Sequence, residues 1–150
     1  MASPRRQGRE VALQVLCAAD DNPDLDARAA MALYVSHLLA GEEEDAELPA
    51  RDAFDRVFTE SLVEAATTNR EKIDETITSI SRTWRVDRMS RVDRNILRLA
   101  VAEMLYLPDI PGRVTINEAV ELAKRFGAAE SPAFVNGLLD SAIKALQLRK

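Results

Sequence analysis

The chain has 150 residues, 47% hydrophobic and 30% charged, with a net charge of −5, which is the composition of one ordinary globular domain able to bury a core without staples. A single Cys excludes an intramolecular disulfide or a Cys-based zinc site, and a single His argues against a His-based metal site or a Ser-His-Asp triad. The longest apolar run, Ala29 to Val35, is far shorter than the roughly 20 residues that cross a bilayer. Met1-Ala-Ser-Pro-Arg-Arg also lacks the hydrophobic stretch of a secretory signal, so a soluble cytoplasmic protein with no membrane segment, metal or cofactor is expected.

The charge is unevenly spread. Residues 1–19 carry +2, residues 20–60 carry −9, residues 61–81 carry −2 and residues 82–150 carry +4. A localised basic surface on an acidic protein permits nucleic-acid binding without requiring it.

The periodicity is helical almost throughout. Ala12, Val15, Leu16 and Ala19 recur at i, i+3, i+4 and i+7, one face of a first helix. Met31, Tyr34, Val35, Leu38 and Leu39 form a second stripe, with Gly41 as its stop. Gly41 to Leu48 is acidic and poor in packing residues, the pattern of a solvated loop. Phe54, Val57, Phe58, Ser61, Leu62 and Ala65 form a third stripe, with Pro49 in the turn before it. Ile73, Ile77, Ile80 and Trp84 form a fourth.

The fifth helix has the widest apolar face. Val92, Ile96 and Leu99 make one row, and Leu97, Ala100, Met104 and Leu107 another, so it should lie centrally. Ser90 and Asp93 fit a capping box at its start. Pro108 to Gly112 should turn the chain, with Pro111-Gly112 in the middle of a type II turn. Thr115-Ile-Asn-Glu118 reads as the box that opens a sixth helix, striped by Ile116, Ala119, Val120 and Ala123 and ended by Gly127 as C′ residue. Ser131 as N-cap and Pro132 at N1 open a seventh, with Val135, Leu138, Leu139, Ala142, Ile143 and Leu146 inward. The fold class is all-α with about seven helices, with Thr67-Thr-Asn-Arg70 as a joint between the first three and the last four.

Chemistry-bearing residues are few. His37 has no orienting partner in the sequence, and Cys17 follows Val15-Leu16 as a small apolar residue would. No Gly-rich phosphate loop, H-E-x-x-H or paired C-x-x-C occurs. No catalytic residue is assigned. Arginine is more informative. Arg82, Arg85, Arg88, Arg91, Arg94 and Arg98 fall at intervals of three or four, which fits either a solvated face with local ion pairs or a phosphate surface. Arg5, Arg6 and Arg9 would share the first two turns of a helix beginning near residue 5. They fit a flexible basic arm ordered by phosphates, or a solubilising tail. Phe134, next to the core position Val135, fits either a staple or a stacking platform for a base.

Three stretches carry a resemblance. They are Arg6-Gln-Gly-Arg-Glu-Val-Ala-Leu-Gln-Val-Leu16, Val92-Asp-Arg-Asn-Ile-Leu-Arg-Leu-Ala-Val-Ala-Glu-Met104, and Ile116-Asn-Glu-Ala-Val-Glu-Leu-Ala-Lys-Arg-Phe-Gly127 followed by Phe134-Val-Asn-Gly-Leu-Leu-Asp140. Together they closely resemble the NusB family of bacterial transcription antitermination factors. The likeness is weak over residues 20–60. It implies two small packed helical bundles, here roughly 1–68 and 69–150, and a non-enzymatic factor acting on rRNA transcription. The implied partners are single-stranded boxA-type RNA, the small-subunit ribosomal protein also called NusE, and the transcription elongation complex, with the factor itself a monomer or homodimer.

By position, the resemblance implies RNA contact at Arg5, Arg6, Arg9, Glu130, Ser131 and Phe134, and protein contact at Asp93. Two positions depart from many relatives: Cys17 stands where they have Tyr, and Glu130 where they have Asp. Two alternatives remain. One is a diverged paralogue that keeps the protein partner and not boxA. The other is a domain related to that of rRNA cytosine methyltransferases, although 150 residues leave no room for their cofactor-binding sheet.

Overall fold

Capping and close approach decide where these helices begin and which faces they bury. The computed structural model describes residues 3–22, 28–32, 55–82 and 85–146. Helix α1 runs Pro4–Asp21, with Ser3 as N-cap accepting the Arg6 N–H at 3.1 Å and Pro4 in the first turn. Val11, Ala12, Leu13, Val15 and Leu16 are buried, a broader face than the period-3.6 stripe, and Ala19 is half-buried. Residues 28–32 are helical, with Ala30 and Met31 buried. The rest of the second stripe, His37, Gly41, the acidic 41–48 segment, Pro49, Phe54 and Trp84 lie outside the described residues.

Helix α2 (Arg56–Thr68) starts from Asp55, whose carboxylate accepts the Phe58 N–H at 3.0 Å. Its inward face is Phe58, Thr59, Leu62, Val63 and Ala66. This corrects the third stripe: Val57 is 75% exposed and Ser61 is exposed. The reason lies opposite, at Gly8 of α1. A Cβ there would sit 2.5 Å from Thr59 Oγ1, so the two helices meet backbone to side chain at this point. The contact turns Thr59 inward, and its hydroxyl donates to the Asp55 carbonyl at 2.8 Å, so no polar group is left unsatisfied.

Helix α3 (Arg70–Ser81) buries Ile73, Thr76 and Ile77, with Ile80 half-buried. It ends at Arg82, which takes φ 52° and ψ −43°, a strained position for a residue with a Cβ. A single 3-10 turn, Val86–Arg88, leads into α4 (Arg91–Tyr106). Every residue from Asn95 to Met104 is buried, and α4 packs against α3, α5 (Gly112–Phe126) and α6 (Ser131–Ala145), in the central position its wide apolar face demands.

Three polar side chains in that buried stretch are each satisfied. Arg98 grips Asp74 of α3 with two bonds, Nε to Oδ1 at 2.8 Å and Nη2 to Oδ2 at 3.1 Å, and donates to Asn95 Oδ1 at 3.1 Å. Asn95 in turn donates to the Arg91 carbonyl at 2.9 Å. Glu103, 2% exposed, accepts from the Thr115 hydroxyl at 2.9 Å.

That last bond corrects two expectations about the turn after α4. Thr115 caps nothing, because the helix already begins at Gly112 with Pro111 as N-cap, and its hydroxyl is committed to Glu103. The turn falls earlier, closed by the Ile110 N–H donating to the Leu107 carbonyl at 3.2 Å, and Gly112 is helical. In α5, Leu122 is buried and Val120 half-buried. Gly127 caps α5 but is extended, with φ −94° and ψ −174°. It is glycine because a Cβ would stand 2.7 Å from the Ser131 side chain and 2.8 Å from the Ala123 carbonyl. The core positions expected in α6 are buried from Val135 to Ile143, and Leu146 is half-buried.

Contacts divide the chain into two units, Met1–Thr67 and Thr68–Lys150. The first carries a net charge of −8 and the second +3. Among the described residues no helix is long and apolar enough to cross a membrane.

Candidate nucleic-acid interface

The first unit presents its arginines on an ordered helix end, which corrects the flexible-arm expectation. The Asp55 N–H donates to the Pro4 carbonyl at 3.0 Å, tying the start of α1 to the start of α2. Phe58 lies beneath, 7% exposed. The Arg5 guanidinium stands 4.8 Å from its ring centroid and the Arg9 guanidinium 5.1 Å. The two differ in access. Arg5 keeps 57% of its side chain exposed, with Nε 4.0 Å from Asp55, whereas Arg9 is only 5% exposed. Arg6 is half-buried.

No acid occupies the first turn of α1. The helix dipole and the arginines therefore act with the same sign, and together they favour an anion there.

In the second unit, the loop before α6 is braced from within. The Ser131 hydroxyl accepts the Ala128 N–H at 2.9 Å, and the Ser131 N–H donates to the Ala128 carbonyl at 3.1 Å. Ser131 is 1% exposed and sits one residue inside the helix; the N-cap position falls to Glu130, which makes no capping bond through its side chain. Glu130 is exposed and Phe134 half-buried, one turn into α6. The Phe134 N–H donates to the Glu130 carbonyl at 3.2 Å. The expected RNA residues thus fall into two groups, Arg5, Arg6 and Arg9 in the first unit and Glu130, Ser131 and Phe134 in the second.

Asp93 sits in the first turn of α4. Ser90 Oγ accepts the Asp93 N–H at 3.1 Å, but the expected box is only half formed: Asp93 Oδ1 is buried and has no hydrogen-bond partner among the described residues. Of the six spaced arginines, Arg98 is structural and 7% exposed, and Arg94 is half-buried with Nη1 donating to the Met89 carbonyl at 3.2 Å. Arg82, Arg85, Arg88 and Arg91 are exposed.

Sequence spacing could not separate Arg98 from its neighbours in the series. The signal available was its position between Leu97 and Leu99 on the helix with the widest apolar face. Cys17 is half-buried. Among the described residues no group of three or more His, Cys, Asp or Glu side chains could hold a metal ion.

The chain is similar in sequence and fold to known proteins. The Transcription antitermination protein NusB of Geotalea uraniireducens (strain Rf4) is 48% identical over 92% of this chain and 92% of its own. The solved NusB of T. maritima matches with a TM-score of 0.75 and 34% identity, covering 96% of this chain and 93% of that one. A solved complex of the antitermination factors NusB and NusE with dsRNA contains a chain that matches with a TM-score of 0.71 and 26% identity, over 93% of this chain and 96% of that one. The NusB family model matches residues 6–144, and the chain belongs to the NusB family.

Proposed function

We propose that this protein is a non-enzymatic transcription antitermination factor that binds boxA-type single-stranded RNA together with the ribosomal protein NusE, in support of rRNA transcription in the cytoplasm. The observation that carries the reading is the start of α1, where Arg5 and Arg6 stand on a helix N-terminus that holds no acid in its first turn. Phosphate suits that site through both the dipole and the guanidinium fork. Glu130 and Phe134 present the second contact, with the Phe134 ring stacking on a base. Arg9 and Ser131 serve these surfaces from behind, the one over Phe58 and the other inside the loop before α6. NusE docks at the start of α4, around the half-buried Asp93.

The test is RNA binding measured with and without NusE. A boxA single strand should bind more tightly than a duplex of the same sequence, because its bases are open to stacking. Asp93→Arg should abolish the gain that NusE brings and leave binding of RNA alone unchanged. If Asp93→Arg lowers only thermal stability, Asp93 belongs to the cap of α4. If the protein captures NusE but no RNA, the chain is a paralogue that keeps only the protein partner.

A further inference from the structure

The segment between α3 and α4 holds a basic surface that the proposed RNA contacts leave unused. From this we infer that Arg85, Arg88 and Arg91 form a second phosphate-binding strip, which holds single-stranded RNA flanking the boxA-type element. The inference rests on the RNA-binding reading above.

The strip is rigidly mounted. Val86 is 8% exposed and Met89 6%, so two apolar anchors three residues apart pin the segment to the second unit. The Arg88 N–H donates to the Arg85 carbonyl at 3.0 Å and the Met89 N–H to the Val86 carbonyl at 3.2 Å, closing the 3-10 turn. The Arg94 guanidinium holds the Met89 carbonyl from the side of α4. The residues between and beyond the anchors, Arg85, Asp87, Arg88, Ser90 and Arg91, are exposed. A surface shaped before its ligand arrives loses little entropy on binding.

The chemistry is that of a phosphate ligand. No lysine occurs between Lys72 and Lys124, so every cation here is a guanidinium, which meets phosphate oxygens two at a time. Arg85 to Arg88 spans one 3-10 turn, about 6 Å of rise, which suits successive phosphates of an extended strand. Residues 82–94 carry five arginines against two aspartates, leaving +3, on a unit that is itself +3. Asp87 lies 3.4 Å from Arg85, but both side chains are about 70% exposed, at 68% and 71%. Such an exposed pair is weak and open to exchange for a phosphate. Among the described residues Arg88 forms no ion pair. Arg82, exposed at the strained end of α3, extends the same basic stretch.

The experiment uses the full chain and three RNA probes: boxA RNA alone, the same RNA flanked on both sides by oligouridine, and oligouridine alone. Affinity is followed across a salt series. The wild type should bind the flanked RNA more tightly than boxA alone and with a steeper salt dependence. The triple variant Arg85→Gln, Arg88→Gln, Arg91→Gln should bind boxA alone as the wild type does and lose the gain from the flanks. Its salt slope on flanked RNA should fall by up to about 2, for three phosphates at ~0.7 each. Lysine at the same three positions should keep the slope.

Equal affinity of wild type and triple variant for flanked RNA overturns the strip. So does a variant whose only defect is capture of NusE, since the surface then belongs to the protein partner. If the wild type ignores boxA yet binds oligouridine through these arginines, the proposed function fails and the strip stands. Should the triple variant unfold, Arg88→Gln alone makes the same comparison, with an expected slope change of about 0.7.

Discussion

Two arginine series occupy this chain at similar spacing, one at the start of α1 and one running from Arg82 to Arg98, and each divides in the same way. Arg5 stays exposed while Arg9, one turn on, is buried over Phe58. Arg85, Arg88 and Arg91 stay exposed while Arg98 is buried against Asp74. A partner behind the guanidinium does not by itself decide its role. Arg5 and Arg9 both stand over the Phe58 ring, yet Arg5, in the first turn of α1, keeps 57% of its side chain exposed while Arg9 is 5% exposed. Arg98 is held by the Asp74 carboxylate of the adjacent helix. Guanidinium tolerates either fate because it is weakly hydrated and can be satisfied in the plane and on the face at once.

The sharpest way to break the comparison is at Arg98. Arg98→Ala takes both bonds from Asp74, leaving it Arg70 at 3.9 Å, and one bond from Asn95. It should cost about 3 kcal/mol in urea unfolding, the low end for a broken buried pair because the Asp74 side chain is 30% exposed. Replacing both partners, Arg98→Met with Asp74→Leu, should recover most of that loss. RNA binding by the folded protein should not change in either case. A loss of RNA affinity without loss of stability would move Arg98 into the exposed class.

Gly8 sets the geometry that buries Arg9. Alanine is favoured over glycine inside a helix by about 1 kcal/mol. Gly8→Ala should nevertheless destabilise the protein by on the order of 1–3 kcal/mol, since the new Cβ overpacks against Thr59 Oγ1. Thr59→Ala in the same chain should relieve that cost, and a double-mutant cycle by urea unfolding reads the coupling. Additive effects would mean that the two helices do not meet through this pair.

Phe134 sharpens the contrast from outside the arginines. Phe134→Ala should weaken RNA binding by on the order of 1–3 kcal/mol and leave the salt slope unchanged, as stacking releases no counterions. A changed slope with unchanged affinity at low salt would exclude stacking. Arg5→Ala should be the mildest change in stability, within about 0.5 kcal/mol.

The all-helical fold was legible because apolar period and capping residues agree over most of the chain. The inward face of α6 and the central place of α4 follow directly from their spacing. The misreadings have local causes. The stripe expected in α2 rests on helical period, and Thr59 buries because Gly8 opposes it, a fact that no spacing within α2 contains. Thr115 looked like a cap because Thr and Glu stand three apart, yet its partner is Glu103, twelve residues away on another helix. Gly127 does end its helix, but it is extended, and what it supplies is room for Ser131. The arginines at the start of α1 were visible as a cluster. Which of them faces solvent was not, since that depends on Phe58 and Asp55 of a different helix.

The most direct measurement compares two variants by the salt dependence of boxA RNA binding and by urea unfolding: Arg5→Ala with Arg6→Ala, and Arg9→Met, which keeps an apolar stem over Phe58. The account predicts that the double variant loses about 1.4 from the salt slope, two phosphates at ~0.7 each, with its unfolding midpoint unchanged. Arg9→Met should keep the wild-type slope and unfold at lower urea. An Arg9→Met variant with a flattened slope and an unchanged midpoint would contradict the division of these arginines into those that hold the fold and those that meet RNA.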